Sequence, residues 1–184
     1  MSRFTQWAKS SSKRLRFWII CLIILVIGYC LPDPATIPVA GATSADWNPQ
    51  SFWFYPWGKS VTHKGIDIFA PQGSPVISDG YGIVTFAGEL SAGGKVVLVL
   101  GPKWQMHYYA HLSKQHVAAG TLVTTGQLLG EVGTTGNAVG KAPHLHYSVK
   151  SILPRPWLLR FDEQGYLRML YLDPAARWNN KGSS

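Results

Sequence analysis

Two patterns of apolar residues divide this chain. Residues 17–31 are apolar without a break, and Pro32-Asp33-Pro34 closes the run. A helix buried in a globular core keeps a polar face at helical period, and this run keeps none. Past residue 50 the pattern changes to short β-rich runs punctuated by Gly and Pro. They predict strands over 75–78, 82–87, 95–100, 105–112, 128–132 and 143–149. The run 95–100 is too continuously apolar for a half-exposed strand and reads as a buried one. Residues 157–161 and 166–171, joined by Asp162-Glu163-Gln164-Gly165, read as a late hairpin. Strands at this spacing with no helices between them imply an all-β domain, an antiparallel β-sandwich or small barrel.

Composition supports the β assignment, since 19 Gly, 12 Pro and only 14% charged residues describe a turn-rich chain. The net charge of +8 would suggest nucleic acid, but its distribution argues otherwise. Arg3, Lys9, Lys13, Arg14 and Arg16 precede the apolar run, and beyond it 12 basic residues face 9 acidic ones, leaving +3. No basic stripe interleaved with aromatics follows, so no nucleic-acid partner is expected. The apolar run has 15 residues, short of the ~20 that usually span a bilayer and overlapping the signal-peptide range. No small-residue cleavage site is evident at its end. The expectation is a basic cytoplasmic segment over 1–16, an uncleaved signal anchor crossing the membrane over 17–31, an extended linker over 32–50, a folded domain over 51–178 and a disordered tail over 179–184. The basic cluster stays inside, which places the folded domain outside the cytoplasm. Cys21 and Cys30 both lie in the apolar run, so that domain has no thiol for a disulfide or a metal.

The chemistry centres on histidine. In the strand over 143–149, His144 and His146 share one face and Leu145 and Tyr147 the other. His63-Lys64-Gly65-Ile66-Asp67 pairs an imidazole with a carboxylate four residues on, Gly65 allowing a tight backbone between them. A His-Asp-His set would leave the fourth position of tetrahedral zinc open, as in catalytic sites. His107 shares the strand face of His111 by parity and is expected to have a structural or surface role. His116 reads as solvated, and Asp79 as a turn residue bonding locally. The aromatic cluster 52–57 is expected to pack along the rim of a sheet.

Three motifs in this order, His63-x-Gly-x-Asp67, Tyr109-Ala-His111-Leu112 and His144-Leu-His146, resemble those of the lysostaphin-type (LytM-domain, M23-type) zinc metallopeptidases. The resemblance runs over about residues 50–175, through Gly65-Ile66-Asp67-Ile68, Pro71-x-Gly73-x-Pro75-Val76 and Gly136, to Asp173-Pro174. It implies the LytM (duplicated hybrid motif) fold, Zn²⁺ held by His63, Asp67 and His146, and two catalytic histidines, His111 and His144. One of these would assist deprotonation and the other would steady the oxyanion; which does which stays open. The implied substrate is the stem-peptide cross-link of bacterial peptidoglycan, cut by a single-pass protein of the inner membrane with its domain on the wall side. Two departures stand out. Lys141-Ala142-Pro143 lengthens the loop between Gly140 and His144, and the late hairpin adds to the minimal domain. The rival readings are a non-catalytic LytM-type activator of wall amidases, which usually lacks ligands, and a zinc peptidase for protein substrates. No pair of carboxylates at motif positions supports a glycosidase.

Overall fold

A computed structural model describes the backbone of residues 3–179 and the side chains of 13–178. The tail expected over 179–184 lies outside the described residues, apart from the backbone of Asn179, and so do the side chains of Arg3 and Lys9. The chain runs α1 (Arg3–Cys30), β1 (Ile66–Phe69), β2 (Pro75–Ile77), β3 (Gly82–Leu90), β4 (Gly94–Gly101), β5 (Gln105–Leu112), β6 (Lys114–Gln115), β7 (Leu122–Val123), β8 (Leu128–Glu131), β9 (His144–Ser151), β10 (Tyr171–Leu172) and α2 (Pro174–Asn179).

Seven strands form one antiparallel sheet in the order β1-β9-β5-β4-β3-β7, with β10 also on β9; β2, β8 and β6 form a second. Neither sheet closes, so the barrel alternative gives way to two open layers. Ile66, Ile68, Tyr109, Leu145, Tyr147 and Val149 of the large sheet share one core with Val76, Leu129 and Val132. β1 lies at one edge of the large sheet beside β9, yet the inward residues of both strands are buried completely; Ile66, Ile68, Leu145 and Tyr147 are each 0% exposed.

Three expectations need correction. The apolar run does form helix, but among the described residues no helix is long and apolar enough to cross a membrane. At 1.5 Å per residue its 15 apolar residues reach only about 22 Å, against a hydrocarbon core of about 30 Å. The segment 32–50 is not a free linker. Val39 bridges to Val76 and, with Trp47, is buried in the core, while Thr36 N–H reaches the Asp79 carbonyl at 2.9 Å. The late hairpin is absent as well. Pro156–Leu158 and Gly165–Met169 are 3₁₀ turns, and only Tyr171–Leu172 joins a sheet. Gly165 N–H bonds to the Asp162 carbonyl and Arg160 N–H to that of Gly165, so local turns take up the backbone groups a hairpin would have paired.

Candidate metal centre

Strand pairing builds the site. Asp67 in β1 stands directly opposite His146 in β9, so their side chains project from the same face. His63 lies in the loop before β1, held by two backbone bonds: Trp53 N–H to its carbonyl (2.7 Å) and its own N–H to the Phe54 carbonyl (3.0 Å). Gly65 lets that loop lie on β9, because a methyl there would stand 2.4 Å from the Tyr147 carbonyl oxygen.

The three side chains converge on a triangle. His63 Nε2 lies 3.1 Å from Asp67 Oδ1 and 3.1 Å from His146 Nδ1, and His146 Nδ1 lies 2.8 Å from Asp67 Oδ1. His63 Nδ1 donates to the Ser51 carbonyl at 2.9 Å, which leaves its Nε2 as a lone pair aimed into the triangle. The indole of Trp57 stacks on the His63 ring, centroids 4.1 Å apart, and His63 is buried. Burial alone would raise the Asp67 pKa, but the adjacent imidazoles of His146 and His63 outweigh it and hold the carboxyl well below the usual range.

This donor set fits zinc. Bonds of about 2.0–2.1 Å in tetrahedral geometry place ligand atoms roughly 3.3 Å apart, close to the triangle's edges. Two imidazoles and a carboxylate also leave a fourth position free. Among the described residues, these three are the group of His, Cys, Asp or Glu whose ligand atoms come together in this way.

His111 and His144 sit beside the triangle as a separate pair, ring centroids 5.1 Å apart, with His111 6.0 Å from His146. Each is anchored by Nδ1 on a backbone carbonyl, His111 on Thr135 and His144 on Ala142, both at 2.8 Å. Their Nε2 atoms are therefore the lone pairs left for chemistry. Burial lowers the His111 pKa to about 4, against a smaller opposing effect of the Thr135 carbonyl, so the ring is neutral at ordinary pH.

Parity put His111 on the face of His107, and the structure does not. The β4–β5 register shifts between Lys95 and Val97, and His111 takes a left-handed φ of 65°. That bulge turns His111 onto the face of Tyr108 and His146. Non-glycine residues at such φ are uncommon and collect at functional sites. Thr135 holds the turn: its hydroxyl donates to the Leu112 carbonyl and accepts from Lys95 N–H, both at 2.9 Å. No sequence signal marked Thr135.

His107 points the other way, fully buried, with Nδ1 2.6 Å from the Tyr147 hydroxyl. Asp79 does sit in a bend, but its carboxylate belongs to the same interior and bonds to distant residues rather than locally. It is 0% exposed and takes hydrogen bonds from Arg177 Nε (3.0 Å), Trp178 Nε1 (2.7 Å) and Thr36 N–H (3.1 Å). Arg177 also forks onto both oxygens of Asp33 at 2.8 and 2.9 Å. His116 pairs with Glu131 at the surface. The metal triangle and histidine pair open on a cleft of 380 Å³ that also takes in Trp57, Tyr108, Asn137 and Lys141. Trp57 belongs to the aromatic cluster expected at a sheet rim, and it roofs the site.

Residues 61–154 match the model of peptidase family M23, which covers half of the chain and every residue of the centre. The chain belongs to peptidase family M23. The DD-carboxypeptidase/endopeptidase Mpg of Neisseria meningitidis is 37% identical over 114 residues, 56% of this chain and 26% of that protein. The L-Ala--D-Glu endopeptidase of Bacillus subtilis is 35% identical over 113 residues, 56% of this chain and 35% of its own. This M23 protein thus spans only about a quarter to a third of those relatives (26% and 35%). The catalytic domain of lysostaphin from Staphylococcus simulans superposes with a TM-score of 0.52 at 29% identity, covering 66% of this chain and 84% of that one. A zinc-containing peptidase from Vibrio cholerae gives 0.52 at 31% identity over 64% of this chain and 37% of its own.

Proposed function

We propose that this M23 protein is a zinc-dependent endopeptidase that hydrolyses peptide cross-links of bacterial peptidoglycan. The observation that carries the reading is the His63–Asp67–His146 triangle, opening on a cleft beside two histidines whose Nε2 atoms are free. Relatives from Vibrio cholerae named as peptidoglycan DD-endopeptidases support the substrate class. Zinc held by the triangle would supply Lewis acidity, acidifying a water and polarising the scissile carbonyl. His111 and His144 offer lone pairs where the attacking water must lose its proton, so either can take it. The imidazolium so formed is a donor, able to steady the oxyanion or pass the proton to the leaving amine. The Thr135 and Ala142 carbonyls hold both rings in one tautomer, so no reorientation is needed before each turnover.

An extracytoplasmic location belongs to the same reading, because the peptidoglycan substrate lies outside the cytoplasm. The test is digestion of purified sacculi by the zinc-loaded chain, products identified by mass, with Asp67→Ala in parallel. Freed stem peptides from the wild type alone are the expected result. Intact sacculi with zinc bound would refute cross-link cleavage and turn attention to an amidase-activating role or a protein substrate.

A further inference from the structure

The cleft continues past the histidines. A second hollow of 480 Å³ shares Trp57, Ser60, Asn137 and Lys141 with it. Its walls are two loops, residues 56–60 on one side and 137–141 on the other. Each wall carries an exposed lysine, Lys59 and Lys141, and neither is paired with a carboxylate among the described residues. Lys64 adds a third cation, its Nζ donating to the Ser60 carbonyl (2.8 Å) and to Gln164 Oε1 (2.6 Å), both neutral acceptors. Against these the two hollows offer one carboxylate among their described lining residues, Asp67, already bonded to two imidazoles.

The two hollows together thus hold three basic side chains against that one carboxylate, and their low-dielectric walls focus the field. Lys141 also opens the three-residue stretch that lengthens the loop before His144. The added length gives the cleft its second wall and its second cation.

We propose that this end of the cleft is a subsite for a free carboxylate carried by the substrate peptide beside the scissile bond, gripped from opposite walls by Lys59 and Lys141; the inference rests on reading the chain as a wall-peptide endopeptidase. An uncharged bridge gains nothing from two ammonium groups. A stem peptide bearing an ionised carboxyl gains both affinity and register.

The test compares two synthetic cross-linked peptides, one with its stem carboxylates free and one with them amidated, cleaved by the full zinc-loaded chain. The ratio of kcat/KM for the free over the amidated form is expected at roughly fivefold or more, the size of two solvent-exposed ion pairs. It should arise in KM, shrink in about 0.5 M salt, and fall toward one in the Lys59→Gln/Lys141→Gln double variant. A ratio of one in the wild type overturns the subsite while leaving the endopeptidase standing. Cleavage of neither peptide overturns both. A ratio that persists in the double variant also overturns it, since other groups would then read the carboxylate. Circular dichroism and zinc content of the double variant keep misfolding from passing as support.

Discussion

The Gly65→Ala substitution tests how the metal triangle is assembled. The new methyl would stand 2.4 Å from the Tyr147 carbonyl oxygen, 2.9 Å from Ser148 Cβ and 3.0 Å from His146 Cε1. Ordinary C···O contacts begin at about 3.3 Å, so the loop and β9 must part by about 0.9 Å. The carbonyl cannot swing aside alone, because Tyr147 is paired with Ile66 on one side and Tyr109 on the other. His63 and Asp67 travel with Gly65, while His146 travels with Tyr147. The displacement therefore opens the triangle along its own edges, where metal–ligand distances tolerate only about 0.2 Å. Zinc affinity should fall by about 100-fold or more, and stability by about 1–3 kcal/mol from overpacking. Competition with a chromogenic chelator measures the first and urea unfolding the second. Gly120→Ala is the comparison: its φ of +89° makes a side chain costly, but nothing lies within 4 Å. It should lose about 1–2 kcal/mol and keep zinc. Zinc held by Gly65→Ala as tightly as by the wild type would refute the reasoning, since the ligands would then not depend on that close approach.

His111→Ala should retain zinc by metal analysis and lose roughly 10²–10⁴-fold in kcat on a cross-linked peptide, because it removes a proton acceptor and no ligand. Loss of zinc in that variant would place His111 in the ligand set. Arg177→Ala should cost about 3–5 kcal/mol in urea unfolding, because it strands the fully buried Asp79 and the Asp33 carboxylate. Arg177→Lys should recover little of this, since a point charge cannot reproduce the fork. His107 titrates at about 4 in the folded chain, chiefly through burial, against 6.5 unfolded. The unfolded state binds more protons between those values, so the His107 contribution is full above pH 6.5 and lost as pH falls toward 4, on the order of 3 kcal/mol. A His107→Leu variant should show a shallower fall in unfolding free energy over that window; equal slopes would count against the burial argument.

Much of the fold was legible because alternation and punctuation are local. Six predicted strands correspond to β2, β3, β4, β5, β8 and β9, each bounded by Gly or Pro or by a change of pattern. The short strands β6, β7 and β10 were not, because two residues carry no period. β1 hid behind the His63–Asp67 motif, whose residues read as chemistry rather than as strand. The segment 32–50 looked like linker by composition, yet Val39 and Trp47 find core positions that no local rule reveals. Trp57 was visible as one of a run of aromatics, but its stacking on His63 depends on a loop path that only the folded chain supplies.

The sequence by itself narrowed the candidates for the chemistry to a few residues. Histidine and carboxylate were the metal donors left in a thiol-free domain, and period-two alternation placed His144 and His146 on one strand face. Tertiary structure decided which imidazoles meet. The Asp67–His146 pairing comes from the β1–β9 register, a contact between residues far apart in the chain. His107 and His111 are indistinguishable by parity, and a one-residue bulge at the end of β5 separates them, sending one into the cleft and the other toward Tyr147. Pairing across strands and the irregularities that shift it are set by packing against the rest of the molecule. Period-two alternation, a property of a single strand, cannot contain them.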